Sequence, residues 1–204
     1  IRAIYPQSFV HQIRNQLANP SLHTAQKDIL RQQFWKRMGD LSQYFKELKR
    51  VSKHQIVWGG NYFGQIWAES EYNKCFLIWD KNQPETLNNF SMAEMAWTSL
   101  DKPSKIFHYS VRKNRGKIHP TQKPIDLYAW ILGLFGTPGM KILDTHLGSG
   151  TIAVACHNAN VDLWACEISR DYLDKATGLI REHVPAKFVK EYEKGKLKPT
   201  KEKS

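Results

Sequence analysis

The chain has 204 residues, 41% of them hydrophobic, which suits one ordinary domain with a packed core and at most a small appendage. Thirty Lys plus Arg against nineteen Asp plus Glu give a formal charge of +11, a balance that points to a polyanion, nucleic acid before an anionic membrane surface. No apolar run approaches the ~20 residues that span a bilayer and no signal peptide is visible, so the expected setting is cytoplasmic, with no membrane partner. Cys75, Cys156 and Cys166 are odd in number and lack metal-ligand spacing. They read as reduced, mostly buried thiols, and no metal site is expected.

Residues 1–40 are hard to read. Ile1–Tyr5 could be a short strand, and Gln7–Leu41 is polar, with weak helical periodicity around Ile29, Leu30 and Phe34. The chain begins at Ile1 without Met, which suggests trimming. From Leu41 the pattern clears. Tyr44, Phe45, Leu48 and Val51 share one helical face, and an apolar strand follows at Gln55–Trp58. Gly59-Gly60-Asn61 breaks that strand, as a loop at a strand's carboxyl end should. Cys75–Trp79 and Ala93–Ser99 read as further strands.

Residues 101–118 differ in kind. They set Lys102, Lys105, Arg112, Lys113, Arg115 and Lys117 among Phe107, His108 and Tyr109, with no helical period. Basic residues interleaved with rings suit a segment that neutralises phosphates. An exposed hairpin with ordinary surface charge fits the same residues.

The last third reads cleanly. Pro124 opens a helix through Tyr128, Ile131, Leu132 and Phe135, and Gly136 ends it. Lys141–Thr145 is a strand, Gly148–Gly150 a glycine turn and Thr151–His157 the start of a helix. Asp162–Cys166 is another strand, and a helix runs through Asp171–His183. Strand and helix alternate, which predicts an α/β fold with a mostly parallel, doubly wound sheet. The basic end, 185–204, reads as a solvated, flexible tail.

Chemistry concentrates at the last two strands. The first runs into Asp144-Thr145-His146-Leu147-Gly148-Ser149-Gly150-Thr151, and the second ends in Glu167 about twenty residues on. In an open parallel sheet ligands bind beyond the strands' carboxyl ends, where glycines admit close approach and a carboxylate can accept ribose hydroxyls. The three-glycine dinucleotide pattern and the Gly-Lys-Ser/Thr phosphate loop are both absent. That favours an adenosine cofactor without phosphates, such as S-adenosyl-L-methionine. Asp144 as a helix-capping carboxylate and Glu167 as an exposed strand end remain alternatives. Upstream, His119-Pro120-Thr121-Gln122-Lys123-Pro124 stiffens a turn before a helix, where Thr121 and the free amides can hold a carboxylate. A plain proline-bracketed helix start fits as well.

His119–Pro124 followed some twenty residues later by Asp-x-x-x-Gly-Ser-Gly-Thr resembles the amino-methylating DNA methyltransferases of the circularly permuted beta group. The resemblance runs from about Leu41 to Val184. It includes Trp58-Gly59-Gly60-Asn61-Tyr62-Phe63, Ile78-Trp79-Asp80-Lys81 and Ala96-Trp97-Thr98-Ser99, which are similar to phage and bacterial adenine methylases. Thr145-His146-Leu147 departs from it, since many relatives carry Pro-Phe and another residue there. The resemblance implies a Rossmann-like methyltransferase domain over 41–184, with a cofactor pocket at 119–168. Asp144, Thr145, Gly148, Ser149, Gly150 and Thr151 would line the methionine side of S-adenosyl-L-methionine. Glu167 would hold the ribose hydroxyls, Ile168 would pack beside the adenine, and His119, Pro120, Thr121, Gln122 and Lys123 would close over the cofactor. Residues 101–118 take the place of the target-recognition segment, with double-stranded DNA as partner and a homodimer as an option.

Such enzymes transfer the methyl group through Asp, Asn or Ser followed by Pro-Pro and an aromatic residue. A polar side chain and a carbonyl draw the base's amine toward tetrahedral geometry while the ring stacks on the flipped base. No Pro-Pro occurs in the sequence, and Tyr5-Pro6-Gln7 is not the motif. The catalytic residues are therefore unknown. The motif lies on a mobile loop outside these residues, was removed by truncation, or has been lost. The expected activity is methylation of the exocyclic amine of adenine in DNA, with cytosine as the close variant. The rival is a catalytically silent DNA-binding or partner module that keeps the fold.

Overall fold

The structure, a computed structural model, describes residues 41–68, 70–83, 91–113 and 116–189. The expected strand at 1–5, the segment 7–40, Arg115 and the tail beyond 189 lie outside the described residues.

A helix, α1 (Leu41–Val51), leads into strand β1 (Ile56–Trp58), a 3-10 turn (Gly60–Tyr62) and a short helix α2 (Gly64–Ala68). Strands β2 (Phe76–Asp80), β3 (Ala93–Thr98) and β4 (Lys105–His108) follow, then a 3-10 turn (Val111–Lys113) and α3 (Ile125–Phe135). The chain continues as β5 (Lys141–Asp144), α4 (Thr151–Asn158), β6 (Asp162–Ala165), α5 (Arg170–His183) and a last 3-10 turn (Ala186–Phe188). No helix among the described residues is long and apolar enough to cross a membrane.

The four-stranded sheet has the order β1-β3-β2-β4. β3 pairs antiparallel with both neighbours while β2 and β4 are parallel, so β1, β2 and β4 share a direction and β3 alone is reversed. β5 and β6 form a parallel pair joined by α4. The Rossmann-like α/β expectation therefore stands. The difference is β4, a strand inside the basic segment. In its run Lys105, Ile106, Phe107, His108 only Phe107 is half-buried, packing against Trp130 of α3 with ring centroids 5.2 Å apart. The absence of a helical period left a hairpin open for this segment, but its charge gave no sign of a strand paired with β2.

Period-2 alternation sorts the sheet's residues between two layers. Trp97 faces one side, with Phe45 of α1 and Ile66 of α2. Leu77, Trp79 and Ala96 face the other, against Leu127 and Ile131 of α3. α3 also reaches the second sheet, since Leu132 and Tyr128 join Ala155, Cys156, Ile142 and Leu163 in a third cluster. This helix stands between the two sheets and brings their strand ends beside each other. The cysteines are free, with Cys75 and Cys156 buried and Cys166 exposed.

Candidate functional site

The site grows from the carboxyl ends of β5 and β6, where Asp144 and Ala165 are register partners. Beyond them the two loops stay joined: Cys166 N–H donates to the Asp144 carbonyl at 3.0 Å and Leu147 N–H to the Cys166 carbonyl at 3.0 Å. Glu167 fastens the arrangement. Its Oε2 accepts from Gly148 N–H and its Oε1 from Ser169 N–H, each at 2.9 Å. It is neither a loose strand end nor saturated, because each carboxylate oxygen can accept a second bond. Asp144 Oδ1 accepts from His146 N–H at 2.9 Å, an Asx-type turn within the loop and not a helix cap. Burial pushes the Asp144 carboxyl up, against the opposing pull of the His146 amide and ring and of Lys123.

The glycine turn is built for close approach. Gly148 and Gly150 have φ of +57° and +79°. The His119 ring lies over Gly148, with Nδ1 3.6 Å from where a Cβ would sit. At Gly150 a Cβ would stand 3.1 Å from Ala176 Cβ and 3.3 Å from the Ala176 carbonyl of α5. Gly150→Ala therefore combines left-handed backbone strain with overpacking and should cost about 2–3 kcal/mol. A urea midpoint lowered at unchanged slope would register it, and an unshifted midpoint would refute it.

The turn before α3 is organised inward. His119 is buried, edge-on to Tyr172 with centroids 4.2 Å apart, and its Nδ1 lies 3.2 Å from both the amide nitrogen and Oγ1 of Thr121. Gln122 is buried and its Oε1 accepts from Ile118 N–H at 3.0 Å, while Pro120 and Thr121 are exposed at the rim. Buried Ser149 and Thr151 meet hydroxyl to hydroxyl at 3.3 Å, while Thr151 donates to the Lys123 carbonyl at 2.9 Å and so pins α4 to the turn. Lys123, only 11% exposed, has its ammonium 3.3 Å from Glu94 Oε2 and 5.2 Å from the centre of the Trp58 ring. Lys81 holds the other Glu94 oxygen at 3.0 Å. Burial pulls the Lys123 ammonium down, with Glu94 opposing. Burial pushes Glu94 up, but the two lysines outweigh it and hold the carboxyl below its ordinary range.

Between turn and loop lies a cavity of ≈ 40 Å³ lined by His119, Gln122, Lys123, Tyr128, His146 and Gly148, among others. Sequence reasoning missed four participants: Lys81, Glu94, Tyr44 and His146. Glu94 was legible as a charge inside an otherwise apolar strand. Tyr44 reaches the loop from α1, its hydroxyl 2.7 Å from Thr145 Oγ1, which is itself 2.9 Å from His146 Nδ1. No local pattern announces that link across 101 residues. Ile168, 57% exposed, leaves an apolar side chain at the mouth beside Glu167.

Lys102, Lys105, Arg112, Lys113 and Lys117 are exposed. The Lys113 ammonium lies 5.7 Å from the centre of the Tyr109 ring, while Tyr109 and Phe107 stack on one another at 5.7 Å. At the neighbouring strand ends His108 Nδ1 is 2.9 Å from Asp80 Oδ2.

Comparison with known proteins agrees with this architecture. The chain is 35% identical over 78 residues to the type II methyltransferase M.HpaI of Haemophilus parainfluenzae, covering 36% of the chain and 24% of the relative. It is 24% identical over 86 residues to the type II methyltransferase M1.MboII of Moraxella bovis, covering 38% and 33%. The matches thus span about a quarter to a third of these relatives' length. TTHA0409 of Thermus thermophilus, solved with S-adenosyl-L-methionine, shares the fold at a TM-score of 0.56 and 15% identity, covering 85% of the chain and 92% of TTHA0409. The DNA methylase family N6_N4_Mtase matches residues 14–178, most of the sequence, and the chain belongs to that family.

Proposed function

We propose that the chain is the S-adenosyl-L-methionine-binding body of a DNA amino-methyltransferase that acts on the exocyclic amine of adenine. One observation carries the reading: two carboxylates, Asp144 and Glu167, flank a glycine turn at adjoining strand ends, and the turn carries no lysine to grip a phosphate. Such a donor set repels phosphates and suits hydroxyls, an ammonium and a sulfonium. S-adenosyl-L-methionine offers all three and no phosphate, and it would supply an electrophilic methyl group. Glu167 has lone pairs to spare for the ribose, Ile168 has an exposed apolar face for the adenine, and Asp144 faces the cationic end. Thr145, Gly148, Ser149 and Gly150 form the floor. His119, Thr121 and Gln122 form the lid, which Thr151 and Lys123 hold from behind.

In this reading 41–184 is the methyltransferase domain and 101–118 its DNA-facing segment. The exposed Lys102, Lys105, Arg112, Lys113 and Lys117 bind phosphates of double-stranded DNA, and β4 anchors them to the sheet. The adenine assignment rests on the likeness of residues 58–63, 78–81 and 96–99 to adenine methylases. A second reading, a silent module that keeps the pocket, is favoured by the lack of Pro-Pro in the sequence.

Transfer of labelled methyl from S-adenosyl-L-methionine to unmethylated duplex DNA decides among them, with Asp144→Ala as control. Label in N6-methyladenine that disappears in the variant supports the proposal. Label in N4-methylcytosine would correct the base. Cofactor binding without transfer would mean that these residues keep the pocket without the catalyst.

A further inference from the structure

His146 stands where the resemblance puts a phenylalanine in many relatives, and the structure gives it a support that a phenyl ring could not use. Its Nδ1 is 2.9 Å from Thr145 Oγ1, which is 2.7 Å from the Tyr44 hydroxyl. Its amide donates to Asp144 Oδ1, and its ring is edge-on to Tyr44 at 5.8 Å. The same residue lines the cavity beneath the 119–123 turn.

We propose that His146, oriented by the Tyr44–Thr145 hydrogen-bond chain, reads the charge on the cofactor's sulfur and so distinguishes S-adenosyl-L-methionine from its demethylated product. The inference rests on the cofactor assignment above. The two ligands differ by one methyl group and one positive charge. A cation in the loop therefore opposes the substrate form and leaves the neutral thioether form untouched.

The hydrogen-bond chain accommodates both states of the ring. With the ring neutral, the Tyr44 hydroxyl donates to Thr145 and the Thr145 hydroxyl donates to Nδ1, which leaves the ring proton on Nε2. When the ring is protonated, Nδ1 donates instead, and Thr145 accepts from both neighbours through its two lone pairs. Charge can thus enter the loop without breaking the structure that holds it. Tyr44 stays protonated throughout, because burial pushes its phenol up.

The groups facing His146 set the window. Burial pulls the ring's pKa below 6.5, and Asp144 and Glu167 oppose this in part. Lys123 and His119 also line the cavity, and the Cys166 thiol, pushed up by partial desolvation of its sulfur, donates to the Thr145 carbonyl at 3.5 Å. The ring is therefore neutral at pH 7 and gains its charge only as the pH falls below the ordinary imidazole range. Asp144 also titrates on acidification, and its neutralisation would weaken cation binding in the same direction, so the test must separate the two.

Calorimetric titration of the full 204-residue chain with each ligand, from about pH 8 to about pH 5, makes that separation. The ratio of the substrate's Kd to the product's is expected to hold steady near neutrality and to rise about tenfold at the acid end. In His146→Asn, which can still accept from Thr145 but cannot titrate, the ratio should stay flat. His146→Phe, the residue of many relatives, should behave alike and guards against a variant that fails to fold. A flat ratio in the wild type, or a titrating ratio in both variants, overturns the inference; the second result would assign the effect to Asp144. A wild type that binds neither ligand at any pH refutes the cofactor reading itself.

Discussion

Trp97→Ala is expected to lower the free energy of unfolding by about 4 kcal/mol, a loss at the upper end for a single core truncation. Trp97 is 1% exposed near the carboxyl end of β3, packed on Phe45 and Ile66, with its indole N–H donating to Asn73 Oδ1 at 2.9 Å. The loop after β1 is moulded on it: a Cβ at Gly60 would stand 2.6 Å from Trp97 Cβ, so the backbone there already lies against the tryptophan. Truncation removes the ring's contacts with α1 and α2 and opens a void that β3, held by ladders on both sides, cannot close. Trp97→Phe should lose roughly half as much, since most of the volume remains. Denaturant unfolding measures both, and a loss under about 1 kcal/mol for the alanine variant would contradict the packing account.

The second large effect is electrostatic. Glu94→Ala leaves Lys81 and Lys123, with side chains 14% and 11% exposed, facing each other without their shared carboxylate. Breaking such a buried pair costs about 3–5 kcal/mol, and about 3 is expected here because Glu94 itself is 32% exposed and partly screened. Removing a lysine together with the carboxylate (Glu94→Ala with Lys81→Met) should recover part of the loss, and strict additivity in that double variant would argue against a shared network. The pH dependence has a definite sign. Glu94 is held below its ordinary value of 4.5, so its contribution is present at neutral pH and fades as the pH falls through the acid range below that value. In Glu94→Ala that part of the acid dependence should vanish from the unfolding curve. Glu94 also bears on the candidate site, because Lys123 ends the turn that covers the cavity.

Legibility in the sequence followed the range of the interactions. The proline before α3, the glycine turn before α4 and the apolar runs of β5 and β6 are local signals, and the elements begin and end within a residue or two of where those signals put them. β2 and β3 were also readable, because their alternation serves two buried faces. β4 was not, because its stability comes from pairing with β2 and from Phe107 on Trp130, both non-local. In the site, the carboxylates and glycines announced themselves by spacing. The clamp of Lys81, Glu94 and Lys123 and the chain from Tyr44 to His146 join residues far apart in sequence, and only the fold brings them together. Lys123, expected to help close over a ligand, lines the cavity with its ammonium engaged by Glu94, a partner that a buried charge needs and that its position in the sequence does not announce.

The position of α3 carries a final consequence. Among the described residues the two sheets share no ladder, and Leu127 and Ile131 grip one while Leu132 and Tyr128 grip the other. A ladder fixes distance in steps of one register, whereas packed side chains set it continuously through their volumes. The gap between the acidic strand ends and the basic segment is therefore an adjustable dimension. Swapping a methyl or a ring on one helix can widen or narrow it while every strand keeps its neighbour.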